Sequence, residues 1–416
     1  MQWLLQNASI LNYNNSILKS NQPAKTPWTS VGLGAAFLMA TSAIGPGFLT
    51  QTTVFTSQLY GSFGFVILVS ILLDIGAQLN IWRILAITGL KAQDLANSML
   101  PGLGYVLATL IVMGGLAFNI GNMGGTGLGL NVLTGIEPAW GAVISCAIAI
   151  MVFWMKEAGK AMDTFAKLLG MLMILVTIYV SISSQPPMLT AIRQTFVPDQ
   201  ISTAAIITIV GGTVGGYISF AGGHRLLDAG IKGQAALPQV TRSAVTGILI
   251  TSIMRYILFL ASFGVVATGV LLNAKNPPAD VFRIAAGNMG YYFFGLVMWS
   301  AAITSVIGSA YTSVSFLRTL HPWANRNYRG LTTAFILFST MVFARIGQPV
   351  KVLVAVGAIN GLILPIALSV MLVAAYNRRL VGTYRHPIWM TIAGWLVVAL
   401  MVVLGYKTIV DTLHKL

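Results

Sequence analysis

Long apolar segments separated by short polar stretches run along most of this chain. We count eleven such segments, and each approaches or exceeds the ~20 apolar residues that a helix needs to cross a bilayer. They lie at about 31–59, 62–88, 103–133, 139–155, 161–183, 203–227, 243–272, 290–316, 331–346, 350–376 and 388–410. The pattern predicts an all-α fold with about eleven transmembrane helices, forming one polytopic membrane domain over residues 31–416.

The composition favours a membrane domain and excludes a soluble multi-domain enzyme. Of the 416 residues, 56% are hydrophobic and only 8% are charged, and the mean hydropathy is +0.82. Soluble domains carry roughly a quarter charged residues. The chain also has no nucleophile–base set, zinc-ligand spacing or phosphate-binding loop, so we expect neither catalysis nor a cofactor.

Basic residues outnumber acidic residues, with 24 Lys and Arg against 9 Asp and Glu. They lie between apolar segments, so the positive-inside rule explains the excess better than a nucleic-acid partner does. With residues 1–30 as a cytoplasmic tail, fourteen of the 24 fall on the cytoplasmic side, six fall outside and four fall within spans. The count predicts a multi-pass inner-membrane protein with a cytoplasmic N-terminus and an extracytoplasmic C-terminus.

Two of the eleven segments contain residues that interrupt a helix. The first carries Gly45-Pro46-Gly47, and the sixth carries four glycines within residues 211–216. Proline lacks a backbone donor and glycine permits unwinding, while unpaired backbone at membrane depth persists only inside protein or along a cavity. Interruptions at matching places in two halves therefore indicate a transporter site. The alternative is that the glycines allow close helix packing.

The positions of the two breaks also predict how the chain is organised. Spans 1 and 6 of eleven are the places that a five-plus-five inverted repeat with one extra helix requires. We therefore predict repeats at about 31–183 and 203–376, followed by an extra span at 388–410.

Short motifs in span order resemble those of the natural resistance-associated macrophage protein (NRAMP) family. Gly45-Pro46-Gly47-Phe48-Leu49 resembles the opening of its span 1, Ser62-Phe63-Gly64-Phe65 the start of its span 2, and Gly212-Thr213-Val214 the approach to its span-6 break. The resemblance implies the leucine-transporter fold, with alternating access around a site between broken spans 1 and 6. Most members are proton-coupled importers of divalent manganese and iron.

The family's metal-binding motifs are not matched in this chain. Its span 1 carries Asp-Pro-Gly-Asn, and an alignment from Gly-Pro-Gly-Phe-Leu puts Thr56-Ser57-Gln58-Leu59 in that place. Its span 6 carries Met-Pro-His, where this chain has Gly215-Gly216-Tyr217. Divalent ions need charged or soft donors to offset their dehydration, so we expect no metal site. Arg345 and Asn360 do resemble family positions.

The residues around the two breaks are neutral donors and acceptors, and half-helix N-termini add partial positive charge there. Such a site suits a small organic anion or zwitterion better than a cation. The chain resembles a diverged branch of the family that accompanies 5-oxoproline breakdown, which makes this carboxylate a candidate solute. The candidate binding residues are Gly45, Gly47, Gln51, Thr52, Thr56, Gly212, Thr213, Gly215, Gly216, Tyr217 and Asn360.

Ionisable residues within spans are functional candidates, because each costs at least about 2.5–3.5 kcal/mol at mid-bilayer. Asp74 either carries a coupling proton or neutralises an arginine such as Arg255 or Arg345, and we favour the second interpretation. At the end of span 6, a gate or proton exit competes with a helix-end salt bridge between Arg225 and Asp228. The candidates for coupling or gating are Asp74, His224, Arg225, Asp228 and Arg345.

These features predict an NRAMP-related secondary active transporter that moves a small organic carboxylate by alternating access, with proton coupling. The expected partners are that solute and the lipid bilayer. One alternative is a divalent metal transporter for manganese, iron or magnesium with an altered site. Another is a non-transporting sensor of the same fold, since a plant ethylene-signalling protein keeps it. An intact metal motif would favour the former, and a long soluble tail the latter.

Overall fold

Helices account for all regular structure in the computed structural model, which describes residues 44–155, 158–318 and 321–413. This confirms the all-α prediction for the described part of the chain. The helices are α1 (Pro46–Leu59), α2 (Phe63–Thr88), α3 (Ala92–Met99), α4 (Leu103–Thr134), α5 (Pro138–Trp154), α6 (Ala158–Ser183), α7 (Met188–Phe196), α8 (Thr203–Thr213), α9 (Gly216–Asp228), α10 (Leu237–Ala267), α11 (Pro277–Arg318), α12 (Pro322–Arg326), α13 (Tyr328–Ile346), α14 (Pro349–Ala374), α15 (Arg378–Val381) and α16 (Ile388–Leu413).

The helices coincide with the predicted spans. Among the described residues, eight helical stretches are long and apolar enough to cross a membrane, and a ninth is added if the pair 170–183 and Met188–Phe196, bent by 107°, counts as one span. One stretch, Pro46–Thr88, contains span 2 and the described part of span 1, and the 17-residue α5 covers most of span 4. Each predicted segment therefore contains a helix. The tail 1–30 and the first half of span 1 lie outside the described residues, and the repeat boundaries stay a prediction.

Glycines bring the helices of the core into backbone contact. A Cβ on Gly129 of α4 would lie 2.5 Å from the backbone nitrogen of Trp299 in α11, and a Cβ on Gly211 of α8 would overlap the backbone of Gly357 in α14. Small residues allow this approach in membranes, where dispersion replaces the hydrophobic effect as the driving force between helices. Close packing between helices therefore explains Gly129 in span 3 and Gly211 in span 6.

The four basic residues predicted to lie within spans have different environments. Arg255 is 1% exposed in the middle of α10. Arg345, in contrast, is exposed in the last turn of α13, which ends at Gly347 in a left-handed conformation. Arg83 lies near the end of α2 and is only partly buried. Arg345 therefore lies at a helix end and not in the buried interior, and its role in coupling or gating stays a prediction without support from a buried position. The side chain of Lys167 lies outside the part of the protein that the structure describes.

Candidate functional site

The break in span 6 separates α8 from α9 by two residues. Val214 and Gly215 leave the helical conformation, and the Ser219 hydroxyl donates to the Val214 carbonyl at 2.8 Å. A Cβ on Gly215 would lie 2.7 Å from Asn360 Cβ. The position therefore accepts no side chain, and the methionine that the family carries there has no room. The predicted interruption of span 6 is confirmed.

The described part of span 1 begins as a new helix at Pro46. Gly45 is extended, and Pro46 occupies the first helical position, where its missing N–H costs nothing. The first intrahelical bond runs from Leu49 N to Gly45 O at 3.3 Å. The N–H groups of Gly47 and Phe48 consequently have no acceptor within the helix, and this end of α1 carries partial positive charge.

Thr56 lies away from this break. It is ten residues beyond Pro46 in the continuous helix α1, about 15 Å further along the axis, and its hydroxyl donates to Thr52 O at 2.6 Å. The alignment that put Thr56 in place of the family's aspartate is therefore wrong. If the two breaks are superimposed, Pro46-Gly47 matches the Pro-Gly of the family motif. Gly45 and Phe48 then stand where the family has its Asp and Asn ligands.

Gln51 is held in a slot between α1, α8 and α14. Its side-chain nitrogen donates to Leu353 O at 2.8 Å, whereas its side-chain oxygen has no partner among the described residues. Glycines form the walls, since a Cβ on Gly212 would lie 2.5 Å from that oxygen and a Cβ on Gly357 would lie 2.7 Å from the nitrogen. The structure thus fixes the orientation of the amide and leaves one buried acceptor at the helix interface.

Asn360 and Tyr217 hold the span-6 break in place. The Asn360 amide donates to Gly114 O and Val356 O, each at 3.1 Å, and its oxygen accepts from Tyr217 N at 3.4 Å. The Tyr217 ring lies 5.8 Å from that of Phe118. Both residues therefore join the break to α4 and α14. Their polar groups have protein partners, which makes them positioning residues.

The hydroxyl groups predicted at the site differ in whether they have a hydrogen-bond partner. Thr213 donates to Ile209 O at 2.8 Å within its own helix, so its hydroxyl is satisfied locally. The hydroxyl of the fully buried Thr52 has no partner among the described residues. A Cβ on Gly216 would lie 2.4 Å from a side-chain carbon of Ile363, so Gly216 serves packing. Of the predicted threonines Thr52, Thr56 and Thr213, Thr52 alone has a buried hydroxyl that is unpaired within the described part.

A buried arginine lies at the same interface and was not among the predicted binding residues. The Arg255 guanidinium is 4.5 Å from the Phe48 ring centroid, beside the first turn of α1, and 3.5 Å from Ile209 O, one turn before α8 ends. Its Nε and Nη2 have no hydrogen-bond partner among the described residues. The sequence signal was available, because an arginine inside an apolar span is a functional candidate by default.

Asp74 is the acidic residue whose charge acts on Arg255. It is 1% exposed in α2, and its Oδ1 has no hydrogen-bond partner among the described residues. Of the two arginines considered as its counter-charge, Arg255 is the one whose charge acts on Asp74, whereas Arg345 is exposed in the last turn of α13. A fully buried amide, Asn119 in α4, also lacks partners for both of its side-chain atoms within the described part.

The end of span 6 is tied to the segment after α2. His224 Nε2 accepts from Ala92 N at 3.0 Å and so caps the start of α3, and Lys91 Nζ lies 3.5 Å from Asp228 Oδ1. The salt bridge between Lys91 and Asp228 thus joins two elements, and the pair of Asp228 with Arg225 within α9 stays a prediction. These contacts hold the two helix ends together on what the charge pattern predicts to be the cytoplasmic face.

Among the described residues, no group of three or more His, Cys, Asp or Glu side chains is arranged to hold a metal ion. The donors at the two breaks are an amide, hydroxyls, backbone N–H groups and one guanidinium. This set can bind a carboxylate and an amide. Metal coordination has much weaker support from it, because hard and borderline divalent ions take anionic oxygen, imidazole or thiolate ligands.

Comparisons with known proteins agree with this architecture. The chain is 61% identical over 387 residues to the uncharacterized membrane protein YcsG of Bacillus subtilis, covering 93% of this chain and 96% of YcsG. It is 25% identical over 409 residues to the divalent metal cation transporter MntH of Xylella fastidiosa, covering 90% and 85% of the two chains.

Solved structures of low sequence identity show the fold. A manganese transporter of Eremococcus coleocola superimposes with a TM-score of 0.69 at 16% identity, covering 93% of this chain and 88% of that one. MhsT in complex with L-phenylalanine gives a TM-score of 0.62 at 16% identity, covering 91% and 98%. The leucine-transporter-like fold predicted from the sequence is thereby confirmed. The sequence model of the family matches residues 36–411. The chain belongs to the natural resistance-associated macrophage protein-like family of membrane transporters.

Proposed function

We propose that this NRAMP-family transporter is a secondary active transporter for a small organic anion that carries a carboxylate, with 5-oxoproline as the first compound to test. The observation that carries the proposal is Arg255, a buried cation beside the first turn of α1. A positive charge at this place opposes a metal dication and attracts a carboxylate. Guanidinium groups bind carboxylates through two parallel hydrogen bonds, and Nε and Nη2 of Arg255 are the nitrogens that have no partner within the described part.

The polar groups of Arg255, of the first turn of α1 and of Gln51 suit a ligand with both an acid and an amide. The N–H groups of Gly47 and Phe48 at the start of α1 add favourable dipoles for the carboxylate. Gln51 presents an unpaired buried oxygen, which accepts from an amide N–H. The 5-oxoproline molecule has one carboxylate and one lactam N–H, so a single small molecule satisfies both kinds of group.

Charge conservation suggests how proton coupling operates. Asp74 and Arg255 together are neutral in the buried interior, where a net charge is costly. An incoming carboxylate competes with Asp74 for Arg255, and a proton on Asp74 restores neutrality. We therefore propose symport of one carboxylate with one proton, with Asp74 as the proton carrier. On this mechanism Asp74→Asn mimics the protonated state, so it binds the solute but does not accumulate it uphill.

Uptake of labelled 5-oxoproline into proteoliposomes, with and without an inward proton gradient, tests the proposal. We expect saturable uptake that the gradient drives above equilibrium, and gradient-independent exchange for Asp74→Asn. Arg345→Gln is the matched control, because Arg345 is an exposed arginine at a helix end, and it should transport like the wild type. Failure of 5-oxoproline and of a panel of small carboxylates to bind or to be transported would contradict the proposal.

The second candidate function is transport of a divalent metal ion. It rests on the names of the distant relatives, the divalent metal cation transporter of Xylella fastidiosa and the manganese transporter of Eremococcus coleocola. Calorimetric titration of the purified protein with manganese separates the two candidates. Micromolar, saturable manganese binding that competes with no carboxylate would favour the metal transporter, whereas we expect no heat of specific binding.

A further inference from the structure

A cavity of about 800 Å³ lies between the ends of α2 and α10 and the segment that precedes α16. We call it the basic cavity, because three arginines line it and no acidic residue does among the described residues that form its wall. Its lining residues include Arg83, Arg242, Arg385, Gln234, Thr241 and Tyr384. None of its lining residues belongs to the breaks of spans 1 and 6, and the cavity belongs to the predicted cytoplasmic face.

The floor of the basic cavity is built from fixed hydrogen bonds. Arg83 donates to Thr241 Oγ1 at 2.6 Å and, through Nε and Nη2, to the Tyr384 hydroxyl at 3.3 Å. The Tyr384 hydroxyl lies 3.1 Å from His386 Nδ1, and His386 Nε2 lies 2.7 Å from Asn80 Oδ1. The Asn80 oxygen only accepts, so Nε2 carries the hydrogen and Nδ1 accepts from Tyr384.

The surroundings of His386 favour the neutral form of its ring. Burial together with the charge of Arg83 lowers the pKa of His386 from 6.5 to about 4. The Arg83 guanidinium therefore lies near a neutral imidazole, and no carboxylate among the described lining residues offsets its charge. Arg242 and Arg385 add two exposed guanidinium groups at the mouth of the cavity.

Apolar side chains continue from the mouth of the cavity toward the membrane interior. Val245 lines the cavity, and Leu249 and Ile253 follow it at helical spacing on α10, 44% and 60% exposed. At the start of α16, Ile388 and Trp389 are 73% and 60% exposed. A tryptophan at a helix end is typical of the interface between headgroups and acyl chains. We call these five apolar side chains the apolar strip. The basic cavity and the apolar strip complement the charged headgroup and the acyl chains of an anionic lipid.

We propose that the basic cavity binds a phosphate group through Arg83, Arg242 and Arg385. The group is carried by an anionic lipid headgroup or by a free phosphate anion, and the apolar strip favours the lipid. Guanidinium groups hold phosphate oxygens in a planar, two-pronged geometry, and basic cavities between membrane helices on the cytoplasmic side bind such headgroups. The site is independent of the solute that the protein transports.

Thermal unfolding of the purified full-length chain in detergent, titrated with phosphatidylglycerol or phosphatidylcholine, tests the site. We expect phosphatidylglycerol to raise the melting temperature and phosphatidylcholine to leave it unchanged. Each arginine near a membrane surface contributes about fivefold to anionic lipid affinity, so Arg242→Gln and Arg385→Gln together should weaken the effect roughly 30-fold. High salt should weaken it as well.

Arg326→Gln is the matched control, because Arg326 is an exposed arginine on the predicted cytoplasmic side but outside the cavity. It should respond to phosphatidylglycerol like the wild type. The single variants Arg242→Gln and Arg385→Gln each replace an exposed side chain, so they preserve the fold and should each weaken the response about fivefold. An equal loss in Arg326→Gln would overturn the proposal.

Sodium phosphate distinguishes the two sources of the group. If the group comes from a lipid, millimolar phosphate neither stabilises the protein nor displaces phosphatidylglycerol. If the site takes a free anion, phosphate alone raises the melting temperature, and the double variant loses that response. Either result supports a phosphate site, whereas stabilisation by neither phosphatidylglycerol nor phosphate would overturn it.

Discussion

Two arginine environments in this protein show how depth changes what the same side chain does. Arg255 lies alone in the interior, 1% exposed, with Asp74 as its counter-charge and two of its nitrogens unpaired among the described residues. Arg83 lies near a helix end, where Thr241 and Tyr384 accept from it and two exposed arginines stand beside it. The Arg255 guanidinium is costly to bury and has unpaired nitrogens among the described residues. The Arg83 guanidinium at the helix end is instead held by fixed hydrogen-bond partners.

The difference separates two kinds of anion recognition. In the interior a single guanidinium changes the charge balance, so a ligand that reaches Arg255 must bring its own compensation, which we propose is a proton on Asp74. At the helix end, water and headgroups screen the charges, and several arginines act additively. Substitutions in the interior should therefore have large, all-or-none effects, and substitutions at the helix ends should have small, graded ones.

The largest effect is expected from Arg255→Gln. Loss of a hydrogen bond to a charged group lowers the affinity for a carboxylate solute by about 10- to 150-fold, so uptake should fall to background. The variant also removes the positive charge that acts on the buried Asp74, so it should lower the free energy of unfolding as well. Binding assays and thermal unfolding of the same preparation measure the two effects.

The double variant Asp74→Asn/Arg255→Gln separates binding from stability. It removes both charges, so it should recover most of the lost stability while uptake stays absent. If the double variant transported the carboxylate like the wild type, Arg255 would serve only to neutralise Asp74, and the interior anion site would have to be abandoned.

The next largest effect is expected from Gly212→Ala. The new Cβ would lie 2.5 Å from the Gln51 side-chain oxygen, so Gln51 must rotate and lose its bond to Leu353. We expect a loss of about 1 kcal/mol in the free energy of unfolding and a larger fractional loss of uptake. Equilibrium unfolding and initial rates of uptake provide the comparison.

Two other glycines serve as references for Gly212. Gly330→Ala meets open space on α13 and should be neutral or stabilising by about 0.5–1 kcal/mol. Gly211→Ala would overlap the backbone of Gly357, which cannot rotate away, so it should destabilise the protein more than Gly212→Ala does. Normal uptake by Gly212→Ala would show that the orientation of Gln51 is unimportant.

A moderate effect of pH is expected at the basic cavity through His386. Its pKa is lowered from 6.5 to about 4 in the folded protein, so the unfolded chain binds a proton more readily. The stability that depends on neutral His386 is complete above pH 6.5 and is lost as the pH falls from 6.5 toward 4. His386→Gln should flatten this part of the melting-temperature profile, and an unchanged slope would argue against the neutral ring.

The smallest effect is expected from Lys91→Gln. Lys91 lies 3.5 Å from Asp228, whose side chain is 65% exposed. Exposed ion pairs contribute at most about 1 kcal/mol to stability, so the melting temperature should change little. Asp228→Asn, which changes the other member of the ion pair, should likewise change the melting temperature little. A destabilisation above about 2 kcal/mol would mean that this contact contributes more to the free energy of unfolding than an exposed ion pair does.

Several features were predictable because they are local in the chain. The length and apolarity of each segment predict a helix, and Gly45-Pro46-Gly47 and the glycines of 211–216 predict the two breaks, since proline and glycine act on their own backbone. The structure has helices in all these segments, α1 begins at Pro46 after an extended Gly45, and span 6 is interrupted at Val214 and Gly215.

The contents of the candidate site were less predictable. Gln51 is fixed by Leu353, which is 302 residues away in the chain. Arg345 and Arg255 look alike in a hydropathy profile, yet one ends a helix and the other is buried. Thr56 was placed at the site by an alignment that matched Gly45-Pro46-Gly47 to the opening of the family's span 1 and not to its Pro-Gly break, and the helix that contains Thr56 shows the error. Asp228 pairs with Lys91 because α9 ends beside the segment after α2.

The sequence alone determined that this is a helical membrane protein with interrupted spans and with few acidic residues among them, because the cost of placing polar groups in lipid constrains every segment separately. The tertiary structure decided which polar groups meet. The N-terminus of α1, the slot around Gln51 and the Arg255 guanidinium form one interface only after helices far apart in the chain have packed through their glycines. A buried charge acquires its role from the neighbours that this packing supplies, and those neighbours are not encoded in its own segment.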